Sequence, residues 1–203
     1  MDGRLIYSYV SYYGFFGGLN EQDYKRLQAH KSFPDMMVSA FEWLLAEGTL
    51  PVKGRELRVS ELLLERGGPS FSTPQRQWIE GLATTSLRLY EVVEVVPRKS
   101  ISLKDVLLPE RLPVLVSEKS GSERLVKFDL IAARIVPVDD QFVLAGAVNL
   151  IPRDRGLELI GALRKERQGL ALDAPEAKKR VSQTISTYWL KLFLTPLSGA
   201  RDR

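Results

Sequence analysis

The chain has 203 residues, 44% of them hydrophobic and 27% charged, a composition that suits one sizeable globular domain or two small ones. It contains no cysteine and a single histidine, which excludes disulfides, thiolate nucleophiles, zinc ribbons and any catalytic triad not built on His30. The net charge of +4 is unevenly spread: from Pro152 onward there are eleven Lys or Arg against six acids, so the first 151 residues are close to neutral.

The N-terminal stretch from Tyr7 to Gly18, YSYVSYYGFFGG, gathers four of the seven tyrosines and two of the eight phenylalanines. No basic residue lies between Ile6 and Gly18, so base stacking there would lack its electrostatic companion. Tyr9, Tyr12, Tyr13, Phe15 and Phe16 are therefore read as a mixture of core and protein-contact surface, since tyrosine covers apolar area while its hydroxyl finds a partner. The stretch MDGRLIYSYV has no basic region followed by an uninterrupted apolar run and a cleavage site, and no segment approaches the roughly 20 apolar residues of a membrane span. A cytoplasmic protein without membrane contact is expected.

From Asn20 to Leu82 the punctuation is helical. Asn20 precedes the acids Glu21 and Asp23, and Pro34-Asp35 opens a second helix with an apolar stripe running to Gly48. A short helix over 61–66 stops at Gly67-Gly68-Pro69, and another begins at Ser72-Thr73-Pro74 and carries Trp78, Ile79 and Leu82. His30 sits near the end of the first of these helices, where a cation would be favoured by the helix dipole.

At Leu87 the period becomes strand-like. Strands are predicted over 88–96, 100–107, 112–116, 130–138 and 141–148, and the last two flank Asp139-Asp140, a pair read as a hairpin turn. Five short strands in some 65 residues suit a small antiparallel barrel, SH3-like or OB-like. The strand DLIAARIVPV is apolar on both faces except at Arg134, so it should be central, with Arg134 paired internally to Asp129 or Glu118. After Pro152 the pattern returns to helix over 155–167 and 175–194. The latter is amphipathic, with Tyr188 and Trp189 on its apolar side.

No constellation carries catalytic chemistry. A phosphate loop of the GxxxxGK[ST] kind is absent, Glu91 and Glu94 fall on opposite faces of their strand, and the loop Ser117 to Arg124 has serines but neither GxSxG nor SxxK. Neither a cofactor nor a metal site is expected. That loop reads as solvated turn chemistry beside the barrel.

One resemblance rests on the β-rich region. LYEVVEVVPRKSISLKDVLLPE, followed by VSEKSGSERLVKFDLIAARIVPVDDQFVLAG, resembles the uncharacterised bacterial proteins of the SEC-C motif type. The matching residues are Leu103, Asp105, Leu107 and Leu108, then Glu118, Ser120 and Ser122, then Asp129, Leu130, Ala133, Arg134 and Pro137, with Phe128 where those proteins have glycine. With the helical lead-in FEWLLAEG the likeness runs over 41–146. The Cys-rich metal-binding tail that names the family has no counterpart in a chain without cysteine, so zinc chelation and SecA-type association are not carried over.

The sequence thus predicts an α+β protein in three parts: an N-terminal helical region with the aromatic segment (1–86), a small barrel (87–151) and basic C-terminal helices (152–203). The expected function is that of a non-enzymatic binding or adaptor protein. It would contact another protein through Tyr9, Tyr12, Tyr13, Phe15, Phe16, Tyr188 and Trp189. The alternative is a nucleic-acid-binding accessory protein that contacts RNA or DNA through the barrel and through Arg164, Lys165, Arg167, Lys178, Lys179, Arg180 and Lys191.

Overall fold

A computed structural model describes residues 14–167 and 169–195. Tyr9, Tyr12 and Tyr13 lie outside the described residues. Helix α1 (Glu21–Gln28) is capped by Asn20, whose side chain accepts the Asp23 N–H at 2.8 Å. Helix α2 (Phe33–Ala46) follows, with Pro in its first turn. His30 accepts the Ser32 N–H on Nδ1 at 3.1 Å and meets Phe193 edge-on, so its ring organises the link between α1 and α2.

The sequence predicts no strand between α2 and the next helix, whereas the structure has a hairpin there: β1 (Thr49–Val52) against β2 (Arg55–Arg58). Its turn is Lys53-Gly54, both left-handed, as the twist of a two-residue hairpin requires. Lys in place of the usual Asn or Asp hid the signal. Helices α3 (Val59–Leu64) and α4 (Thr73–Ala83) follow. Arg58 donates through Nη2 to the carbonyls of Ala46 and Ala83, so one guanidinium closes the C-terminal ends of α2 and α4.

Five strands then form a closed barrel in the order β3-β4-β5-β7-β6: β3 (Arg88–Val96), β4 (Ser100–Asp105), β5 (Val114–Ser117), β6 (Leu130–Val138) and β7 (Gln141–Ile151). The expected barrel is present, with one correction: β5 runs parallel to β7, through the pair Ser117 and Val143, and the other neighbours are antiparallel. A single parallel pair closing a five-stranded Greek key is the topology of an OB-type barrel and not of an SH3-like one. Its interior is Tyr90, Val92, Ile101, Leu103, Val116, Ile131, Ala133 and Leu144.

Strand β6 is central, between β3 and β7. Ile131 and Ala133 point into the barrel, while Leu130 and Ala132 point out into a second and larger core. That outer core draws on every part of the chain: Phe15 and Leu27 before the barrel, Leu89 and Ile151 within it, and Leu159 and Ile185 after it. Two helices complete it, α5 (Arg153–Glu166) and α6 (Pro175–Leu192). The Tyr188 hydroxyl on α6 reaches the Arg155 carbonyl and Glu158 on α5, so the two helices run antiparallel. No described helix is long and apolar enough to cross a membrane.

Candidate functional site

Of the protein-contact residues expected from the sequence, the four that are described, Phe15, Phe16, Tyr188 and Trp189, are largely consumed by folding. Phe15 and Phe16 are 1% exposed, packed edge-on to each other at 5.2 Å, with Phe16 continuing onto Tyr24 and Phe33. Trp189 is buried against Phe193, and the whole apolar side of α6 lies in the outer core. Of these four described residues only Tyr188 retains partial exposure, and its hydroxyl is bonded within the chain; burial and the adjacent Glu158 raise its pKa to about 12. Burying an aromatic side chain stabilises by about 1.5–3 kcal/mol, so the core outbids a surface role for these rings.

Arg134 is an internal ion pair as expected, but with a different partner. It is 2% exposed, and Nη2 meets Glu47 Oε1 at 2.5 Å. Asp129 is instead engaged by the Val126 N–H and Glu118 by the Gly121 N–H, each closing its own turn. Alternation along β6 accounts for the partner: Ile131 and Ala133 face the barrel interior, so Arg134 faces outward, toward the end of α2. Ser182 on α6 also donates to Glu47 Oε1, at 2.8 Å.

One turn earlier on α2, Glu42 is buried and accepts the Ala147 N–H at 2.6 Å. Burial, its largest influence, raises its pKa to about 7 against the opposing pull of the Ala147 and Gly146 amides and Arg134. A buried carboxyl with a raised pKa is a common sign of catalysis. Here the geometry gives it structural work: Ala145, Gly146 and Ala147 lie between the pairs Leu144–Ile135 and Val148–Ala133 without a register partner on β6, and Glu42 takes the Ala147 amide in that bulge.

The outer face of β4 and β5 is the surface on which OB barrels bind strands of nucleic acid. On this chain it carries Ser102, Lys104 and Leu115 and no aromatic ring, with Glu91 and Glu94 on the neighbouring strand opposite Lys104 and Ser102; a bulge between Val92 and Glu94 brings both carboxylates to one face, against the opposite faces expected from their spacing. The β6–β7 turn adds Asp139 and Asp140. Phosphates would meet like charge there, so the barrel face is a poor nucleic-acid surface.

The cations of the C-terminal helices are distributed more favourably. Arg164 and Lys165 are exposed on α5, and neither forms an ion pair with a described residue; Lys178 and Lys179 lie at the same end of the helical hairpin. Arg167 is spent on the Leu107 carbonyl at 2.7 Å, Arg180 pairs with Glu176 at 2.9 Å, and Lys191 stands at the far end of α6. Helical spacing places Arg153, Leu157, Gly161 and Arg164 on one flank of α5, turned away from α6, over roughly 16 Å. Asp154 and Glu158 lean on Arg155.

At the start of this flank is a feature the sequence reading passed over. Phe128 is 52% exposed and has φ of +74°, a left-handed conformation that costs a side chain of this kind about 1–2 kcal/mol. Glycine would adopt it freely. The turn is clamped by Phe128 N–H to the Val92 carbonyl at 2.7 Å and by Asp129 N–H to the Val126 carbonyl at 3.1 Å. The Lys127 ammonium lies 5.0 Å from the ring centre and the Arg153 guanidinium 5.8 Å, the latter held by a bond to the Lys127 carbonyl. The run Lys127-Phe128 before a strand was the available signal.

Compared with known proteins, the chain matches no family model, no curated protein and no solved structure.

Proposed function

We propose that this chain is a non-enzymatic nucleic-acid-binding accessory protein that holds the phosphate backbone along the outer flank of α5. The observation that carries the reading is that Arg153 and Arg164 share one exposed flank of that helix, with Lys165 exposed beside Arg164 on the adjoining strip, and that none of the three pairs with a described carboxylate. Exposed cations without a carboxylate partner attract a polyanion that passes over them, Arg164 and Lys165 at one end of the helix and Arg153 at the other. A nucleic-acid backbone supplies such a row of charges. The barrel and α6 act as the scaffold that fixes α5.

The test is fluorescence anisotropy of a labelled oligonucleotide at several salt concentrations. Three to four neutralised phosphates predict a slope of log K against log salt of about −2 to −3, and the double reversal Arg164→Glu with Lys165→Glu should weaken binding and flatten that slope. Absence of binding at 50 mM salt, a condition in which such contacts are strong, would refute the reading.

An adaptor that contacts protein remains a second reading on one specific observation. Leu112 and Leu115 are exposed at 88% and 62% along the β4–β5 side of the barrel, where a partner could cover them. Oligonucleotide binding that is untouched by charge reversal on α5 would shift the balance toward it.

A further inference from the structure

Resting on the nucleic-acid reading above, we infer that the bound form is single-stranded and that an unpaired base stacks on Phe128 at the head of the α5 cation row. Three observations converge on that ring. It is half-exposed although the chain has ample core for aromatics, as Phe15 and Phe16 demonstrate. It occupies a left-handed backbone position where any residue other than glycine folds at a cost, so its retention favours a task other than folding. Lys127 and Arg153 lie over it, so a base that takes the place of one of them on the ring brings its own phosphates to both cations, with Arg164 about three helical turns further along.

Strand state follows from the stacking. In a duplex each base is already covered on both faces by its neighbours, so a ring on a rigid turn reaches only the terminal pair. In a single strand every base offers a face, and an exposed ring joined to cations is the arrangement that holds it. Gly161, midway along the flank and with nothing within 4 Å of a side chain built on it, leaves the track open between the two ends.

Phe128→Gly separates folding from binding in one substitution. Because it relieves the left-handed strain, the variant should melt at the same temperature as the parent or higher. It should bind a single-stranded 12-mer roughly 5- to 100-fold more weakly, the loss expected for one stacked base. Affinity for a blunt duplex of the same sequence should be unchanged, and so should the salt slope, since no charge is removed. Phe128→Trp, which enlarges the ring, should retain or strengthen single-strand binding. Single-strand affinity within twofold of the parent in Phe128→Gly, or an equal loss on single strand and duplex, overturns the inference while leaving the α5 reading intact. Failure of the parent protein to bind either oligonucleotide overturns both.

Discussion

Removing the Glu47 carboxylate tests how the helices are joined to the barrel. Arg134 loses almost all contact with water on folding, and its described side-chain bond is to Glu47. Breaking a buried pair from one side leaves a charge without compensation and typically costs 3–5 kcal/mol. Two features of this site place Glu47→Ala near the lower end, at about 3 kcal/mol. Glu47 keeps 17% of its side-chain exposure, so part of its desolvation is never incurred, and Glu42 is close enough to feel the charge of Arg134. In a chain of this size that loss lowers the melting temperature by roughly 6–12 °C. Urea titration followed by circular dichroism measures it directly, with an unchanged m-value as evidence that the same fold is being unfolded. Replacing both partners, Arg134→Met with Glu47→Leu, should recover most of the loss, because neither desolvation remains. The Ser182 hydroxyl, which then loses its acceptor, can turn to a carbonyl one turn back on α6. A single-variant cost below about 1 kcal/mol, or a double variant as unstable as Glu47→Ala, would refute this account of the pair.

Glu42 predicts an unusual pH dependence. Its folded pKa, about 7, lies above the unfolded value, so the stabilisation attached to its protonated form is complete below about pH 4.5 and is lost as pH rises toward 7. The span corresponds to roughly 3 kcal/mol, and Glu42→Gln, which keeps an oxygen for the Ala147 N–H, should flatten it and be the more stable protein at pH 7 in thermal melts from pH 5 to 8. Two glycines should respond to alanine with opposite signs in the same melts. Gly161→Ala meets open space in the middle of α5 and should stabilise by about 1 kcal/mol. Gly48→Ala would put a methyl 2.6 Å from the Leu44 carbonyl oxygen, a backbone atom that cannot yield, and should destabilise by about 1–3 kcal/mol.

The barrel was legible because its information is local. β-branched runs and turn residues mark each strand from 88 onward, and the turn at Asp139-Asp140 joins β6 to β7 as its composition implies. The parallel closure of β5 on β7 was not, since it depends on a connection of a dozen residues whose path no periodicity encodes. Arg134 shows the same limit within a single residue. Apolar neighbours announced that its charge would be paired, but the partner stands at the end of α2, which packs on the outer face of β6, 87 positions away in sequence. Carboxylates close in sequence, Asp129 and Glu118, were the natural expectation, and both are used up by nearby amides.

The aromatic residues carry the deeper lesson about function. Phe15 and Phe16 stand among tyrosines near the N-terminus, and Trp189 on an amphipathic helix, patterns equally suited to a partner surface or a core. Folding decides between them for Phe15, Phe16 and Trp189, because α2, α6 and the outer face of β6 meet in one core that takes up these rings. Phe128 is the converse. Its sequence surroundings are unremarkable, and only the backbone angle and the two flanking cations distinguish it from an incidental surface residue. A ring that folding does not bury, at a position where folding would favour glycine, is better explained by something outside the chain than by anything within it. The charge of α5 specifies what that something must carry.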